Sequence, residues 1–210
     1  MSDPRIGIYG GTFSPPHVGH IRSAFAFLSA CSLDRLFLIP AFSPPHKDVG
    51  PSDDPKKRLD MLSLAFGPLP FYNDRIIVSD YELRQGGKSY TYLTLEHFSW
   101  ISKELFLLVG TDSFLSLDKW REPEKIFRLA VIAHIPRPLG GNEKEEVARK
   151  TEEYRVKYGA RVVEVPFAPV DVSSTEVRRL IREGKDTSAF VPSEVREYIE
   201  RNGLYRKETP

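Results

Sequence analysis

Short, strongly apolar runs alternate with longer amphipathic ones along most of the chain. Arg5-Ile-Gly-Ile-Tyr9, Arg35-Leu-Phe-Leu-Ile-Pro40, Arg75-Ile-Ile-Val78, Glu104–Gly110, Ala130–Pro136 and Arg161–Val165 predict strands. Runs apolar on both faces, separated by helices, are the pattern of a parallel sheet covered on two sides. Helices are predicted over His20–Cys31, Lys56–Phe66 and Tyr92–Ile101, the second from its spacing of Leu59, Leu62 and Phe66. Residues 41–55 hold too much Pro and Asp for either element. Glu143–Arg155 reads as a charged, solvent-facing helix. From about residue 171 the pattern turns helical, with Ser174–Arg182 capped by Ser173 or Ser174. Ser193–Asn202 follows, capped by Ser193 after Pro192 and stopped by Gly203. With no repeat and no linker, the pattern predicts one α/β domain over 1–210: a doubly wound, mostly parallel sheet with a small helical subregion at about 171–210.

Composition narrows the function classes. A length of 210 residues suits one domain that buries roughly 70% of its unfolded surface. Thirty Lys and Arg against 29 Asp and Glu leave a net charge of +1, which argues against a nucleic-acid or membrane-surface partner. No RNA-module pattern or basic stripe appears. No apolar stretch reaches the ~20 residues that span a bilayer. The opening Met1-Ser-Asp-Pro-Arg5 lacks a signal-peptide layout, so the expected location is cytoplasmic. The single Cys31 excludes an internal disulfide and a cysteine-built zinc site. Lys56-Lys57-Arg58 reads as a solvated face, and His46, His97 and His134 as structural or surface residues. A homo-oligomer is left open.

Three constellations carry chemistry. Gly10-Gly-Thr-Phe-Ser-Pro-Pro-His17-Val-Gly-His20 lies between the first strand and helix, where open α/β sheets place ligands. Its glycines admit a phosphate close to the backbone, and the helix start offers N–H groups. It is neither G-x-G-x-x-G nor a G-x-x-x-x-G-K-[ST] loop. His17 and His20, three residues apart, put both rings on one side of a helical turn, where they can stabilise charge growing on a phosphate. Spacing alone leaves metal binding and simple capping open. Second, Ser173-Ser174-Thr175-Glu-Val-Arg178 opens a helix with hydroxyls and an arginine one turn on; this suits a polyphosphate or an ordinary cap with a solvated arginine. Third, Gly110-Thr111-Asp112, with Trp120 beyond, offers a carboxylate and a stacking ring, or a helix cap and a core tryptophan.

Together, Gly10-Gly-Thr-Phe through His17-Val-Gly-His20 and Ser173–Arg178 resemble the two signatures of nucleotidyltransferases related to class I aminoacyl-tRNA synthetases. The ordered set that adds Pro44-Pro-His-Lys47, Arg58-Leu-Asp-Met61, Ser89-Tyr-Thr91, Gly110-Thr-Asp112, Trp120, Arg137-Pro138 and Val191–Tyr205 resembles the bacterial nicotinate-mononucleotide adenylyltransferases. The resemblance implies a Rossmann-like fold and transfer of the adenylyl group of ATP, with Mg²⁺, to nicotinate mononucleotide. It implies catalytic roles for His17, His20 and Arg178. ATP would be bound by Gly10, Gly11, Thr12, Phe13, His17, Gly19, His20, Gly110, Asp112, Ser174, Thr175 and Arg178. Lys47, Ser89, Tyr90, Thr91, Trp120 and Arg137 would bind the acceptor, and no residue is assigned as a direct metal ligand. Ser14 and Leu93 depart from the family, whose members commonly carry Asp at both positions. Nicotinamide mononucleotide or pantetheine phosphate as acceptor, and a non-catalytic nucleotide-binding role, are the alternatives.

Overall fold

The structure is a computed structural model that describes residues 3–44, 54–136, 142–168 and 170–206. Its strands are β1 Arg5–Gly11, β2 Arg35–Pro40, β3 Ile76–Val78, β4 Glu104–Gly110, β5 Ala130–Ile135 and β6 Val162–Glu164. They form one sheet in the order β3-β2-β1-β4-β5-β6, with every neighbouring pair parallel. The period of two along each strand sends alternate side chains to opposite faces. On β4, Phe106 and Leu108 join the core that holds Phe27, Leu38 and Phe66, while Leu105, Leu107 and Val109 join the core of Phe114, Phe127 and Tyr154. Two apolar layers require helices on both faces, and that is the doubly wound arrangement.

The described helices are α1 Val18–Ala30, α2 Pro55–Phe66, α3 Tyr81–Gln85, α4 Thr91–Phe98, α5 Thr111–Leu115, α6 Pro123–Leu129, α7 Glu143–Tyr158, α8 Ser174–Arg182 and α9 Ser193–Arg201. The short α3, α5 and α6 have no counterpart in the sequence reading, because one or two turns are too brief for apolar periodicity to register. α8 and α9 do not stand apart: Val177, Val195, Ile199 and Leu204 enter the same core as Phe27 and Leu38. The α9 residue Tyr198 donates its hydroxyl to Asp60 on α2 at 2.9 Å. No described helix is long and apolar enough to cross a membrane.

Four expectations are corrected. Ser193 is the first helical residue of α9, not its cap; Pro192 holds the cap position in an extended conformation and offers no side-chain acceptor. α1 begins at Val18, two residues before the predicted start, so His17 is its N-cap and His20 its third residue, with both rings on one side of the first turn as the spacing predicts. Arg58 is wholly buried, whereas Lys56 beside it is exposed. α7 is charged, yet it is anchored by a fully buried Tyr154 whose hydroxyl donates to the Phe114 carbonyl at 2.8 Å and to Asp118 at 3.2 Å. Burial pushes that phenol well above its usual range. Asp118 also takes the Lys150 ammonium at 2.9 Å, so α7 holds the turn that follows α5. Tyr154→Phe is expected to cost about 1–2 kcal/mol in urea unfolding, because a buried carbonyl loses its donor.

Candidate active site

The site is built at the sheet's topological switch point, where β1 lies between β2 and β4 and the connections depart to opposite sides. β1 ends at Gly11, and the chain turns through Phe13 at φ +51° and a cis Ser14–Pro15 bond before entering α1. Nδ1 of His17 accepts the Gly19 N–H at 3.1 Å, and Nδ1 of His20 accepts the His17 N–H at 3.2 Å. This is a capping box made from two imidazoles, and it satisfies two N–H groups at the helix start. It also fixes the tautomer: with Nδ1 used as acceptor, each neutral ring carries its proton on Nε2 and can donate from there. The ring centroids lie 3.8 Å apart. Gly19 permits this arrangement, since a Cβ there would stand 2.9 Å from the His17 ring.

Elements distant in sequence hold the loop from both sides. Ser174, the first residue of α8, donates its hydroxyl to the Pro15 carbonyl at 2.9 Å. Arg178, one turn on, donates from Nη1 to the Ser14 carbonyl at 2.7 Å and from Nη2 to Thr175 Oγ1 at 3.2 Å. Ser173 caps α8 by accepting the Glu176 N–H. The Ser14 hydroxyl is buried against the Tyr205 hydroxyl at 3.0 Å, so this family departure serves in holding the loop to the C-terminal segment. From the other side Arg58 donates to the Thr12 carbonyl at 2.9 Å and to the Phe42 carbonyl at 3.1 Å, joining the loops that follow β1 and β2. Neither Arg58 contact has a sequence signal beyond the motif Arg58-Leu-Asp-Met61, because both acceptors are carbonyls.

Two adjoining cavities open at the carboxyl ends of β1 and β4. The smaller, of about 320 Å³, gathers Gly10, Gly11, Thr12, Phe13, His17, His20, Gly110, Asp112, Ser174, Thr175 and Arg178. The larger, of about 590 Å³, gathers Ser89, Tyr90, Thr91 and Trp120. Gly10, Gly11, Thr12, Asp112 and Trp120 line both. A Cβ at Gly10 would meet nothing within 4 Å, so the backbone there faces open space. The structure thus brings together the residues of all three sequence constellations. Gly19 lies behind the His17 ring rather than in a cavity wall. Lys47 and Arg137 lie outside the described residues. Leu93 is 42% exposed on α4 and lines neither cavity.

The sequence reading missed several neighbours. Glu82, Thr94, Lys119 and Arg121 all line the larger cavity. Thr94 donates to Glu82 at 2.6 Å, and burial pushes the Glu82 carboxyl above its usual range. Ser89 does more than line the wall: its N–H donates to the Ser43 carbonyl and its hydroxyl accepts from the Phe42 N–H, both at 2.9 Å. His134, at the end of β5, meets the Thr111 hydroxyl at 3.2 Å, and burial holds its ring below the usual imidazole range. It is therefore a buried support of the segment that carries Asp112. His97 instead stacks on Tyr81, with centroids 4.0 Å apart. Among the described residues no three His, Cys, Asp or Glu side chains cluster as a metal site.

A parallel sheet with a glycine turn, paired imidazoles and a hydroxyl-rich helix start at its switch point defines a protein that handles nucleotide phosphates. Residues 8–180 match the family model described as "Cytidylyltransferase-like", and the chain belongs to that family. Within it the chain falls among the nicotinate-nucleotide adenylyltransferases. A relative from Desulfatibacillum aliphaticivorans, named "Probable nicotinate-nucleotide adenylyltransferase", is 35% identical over 96% of this chain and 99% of its own. One of the same name from Clostridium botulinum is 33% identical over 97% and 99%. In fold, the chain is similar to the Plasmodium falciparum nicotinic acid mononucleotide adenylyltransferase, solved in complexes with APC and with NaAD. The TM-score is 0.73 over 96% of this chain and 97% of that one, at 16% identity.

Proposed function

We propose that this chain transfers the adenylyl group of ATP to nicotinate mononucleotide, releasing pyrophosphate and deamido-NAD, as a step of NAD biosynthesis. The observation that carries the reading is the pair of adjoining cavities, one walled by phosphate donors and the other by aromatic rings, meeting at Gly10–Thr12. ATP takes the smaller, with its α-phosphate beside His17 and His20. The mononucleotide takes the larger, with its ring against Trp120 and its carboxylate toward Tyr90 and Thr91. The acceptor phosphate is a monoester whose second pKa is about 6, so it attacks as the dianion without a general base. Its oxygen bonds to the α-phosphorus as the bond to the bridging oxygen breaks, and the electron pair leaves with pyrophosphate. Catalysis is then positioning and charge neutralisation. His17 and His20 donate from Nε2 to the α-phosphate oxygens, while Ser174, Thr175 and Arg178 hold the departing phosphates.

Asp112 would help hold the Mg²⁺ that accompanies ATP, and the ion would supply neutralisation of the phosphate charge. The residues fit an ion of this kind: it keeps most of its waters and needs only one or two carboxylates besides phosphate. Asp112 lines both cavities and can accept from those waters. The test is product formation from ATP, Mg²⁺ and either nicotinate or nicotinamide mononucleotide, resolved by chromatography. Preferential deamido-NAD supports the proposal; preferential NAD overturns the acceptor; neither product from folded protein overturns the activity. Trp120→Ala is expected to raise KM for the mononucleotide about tenfold with a smaller effect on kcat, because stacking is present in ground and transition states alike. An unchanged KM moves the ring pocket elsewhere.

A further inference from the structure

We infer that Arg121 is a specificity residue, setting the preference for an acidic over an amide substituent on the acceptor ring. The inference rests on the proposed adenylyl transfer and deepens it. The larger cavity has to tell two mononucleotides apart that share ring, ribose and phosphate and differ only in a carboxylate against a carboxamide. That difference is one negative charge, so a cation facing the ring pocket is the simplest discriminator. Arg121 follows Trp120 directly and lines the larger cavity but not the smaller one. Its guanidinium sits over the Tyr90 ring, 5.2 Å from the centroid, and Tyr90 shares the wall with Thr91. Contact with the ring restrains the guanidinium while its N–H groups can still donate to a carboxylate.

The other charged groups on this wall do not supply the same function. Glu82, held by the Thr94 hydroxyl at 2.6 Å and by Ser89, is acidic and cannot attract an incoming carboxylate, and its burial favours the neutral form and so lessens its opposing charge. Asp112 belongs to both cavities and stands on the phosphate side with His17 and Arg178. Lys119 also lines the larger cavity, but as a compact point charge it lacks the planar fork that matches a carboxylate in two places.

The experiment compares kcat/KM for nicotinate and nicotinamide mononucleotide at saturating ATP and Mg²⁺ in the unsubstituted protein, Arg121→Gln and Arg121→Lys. Arg121→Gln is expected to lose about tenfold on the acid while the amide is unchanged or improved, so the acid-to-amide ratio falls by that factor. Arg121→Lys, which keeps the charge but not the planar fork, is expected to recover only part of the ratio. Because Arg121 is exposed, neither change threatens folding, and turnover of the amide reports an intact site. Equal losses on both substrates, or an unchanged ratio, overturn the inference. If the unsubstituted protein turns over neither mononucleotide, the proposed activity fails and this inference with it.

Discussion

Replacing His20 with alanine is expected to lower kcat by about 10²-fold or more, with a much smaller change in KM for ATP. His20 Nδ1 is committed to the His17 N–H at 3.2 Å, so its proton sits on Nε2. From there it can donate to a phosphate oxygen whose charge rises as the α-phosphorus is attacked. A donor aimed at charge that develops in the transition state acts on kcat, because the ground state uses it less. The substitution also removes half of the capping box, which costs about 1 kcal/mol of stability. A modest fall in Tm therefore accompanies the kinetic loss without explaining it. Near-unsubstituted kcat in a folded His20→Ala protein removes the residue from the mechanism. A fall in kcat matched by loss of α1 structure in circular dichroism assigns it to capping alone.

The second large effect is on stability. Arg58→Ala is expected to cost on the order of 3–5 kcal/mol. Two partly buried carbonyls, Thr12 and Phe42, lose their donor, and the fully buried side chain of Arg58 leaves its volume behind. At about 2–4 °C per kcal/mol for a chain of this size, Tm falls by roughly 10 °C. Arg58→Lys recovers only part, since one ammonium on a flexible stem does not reproduce a planar fork spanning two loops. Activity falls as well, because Thr12 borders both cavities and Phe42 belongs to the segment pinned by Ser89. A loss below about 1 kcal/mol in urea unfolding sinks the clamp; such a small value is typical of exposed polar contacts.

The long elements were legible because their signal is local and repeated. Leu105, Leu107 and Val109 alternate with Phe106 and Leu108 in the sequence itself, and a run apolar on both faces has few ways to be buried other than inside a parallel sheet. The phosphate-binding candidates were legible for a related reason: glycines, histidines and a hydroxyl-rich helix start are residue types with few other common purposes at such junctions. The cap of α9 misled because Ser after Pro has the composition of a cap, and the cap position is decided by backbone dihedrals. Arg58 misled because charge alone says nothing about burial. A guanidinium that donates to carbonyls leaves no complementary charge in the sequence to reveal it.

By itself, then, the sequence determined the α/β class, the strands that form the sheet, the glycine-histidine turn and the Ser173–Arg178 helix start. Each depends on neighbours within a few residues, where periodicity and residue chemistry act directly. Only the tertiary structure decided that His17 is a cap whose Nδ1 is already used. Only it docks Arg178 on the Ser14 carbonyl across 164 positions of chain, and sets Arg121 over Tyr90 beside the ring cavity. These depend on how two apolar layers close around one sheet. The contacts that result join groups through backbone carbonyls and ring faces, which every residue or many residues can offer, so no pattern in the sequence distinguishes them before the chain has folded.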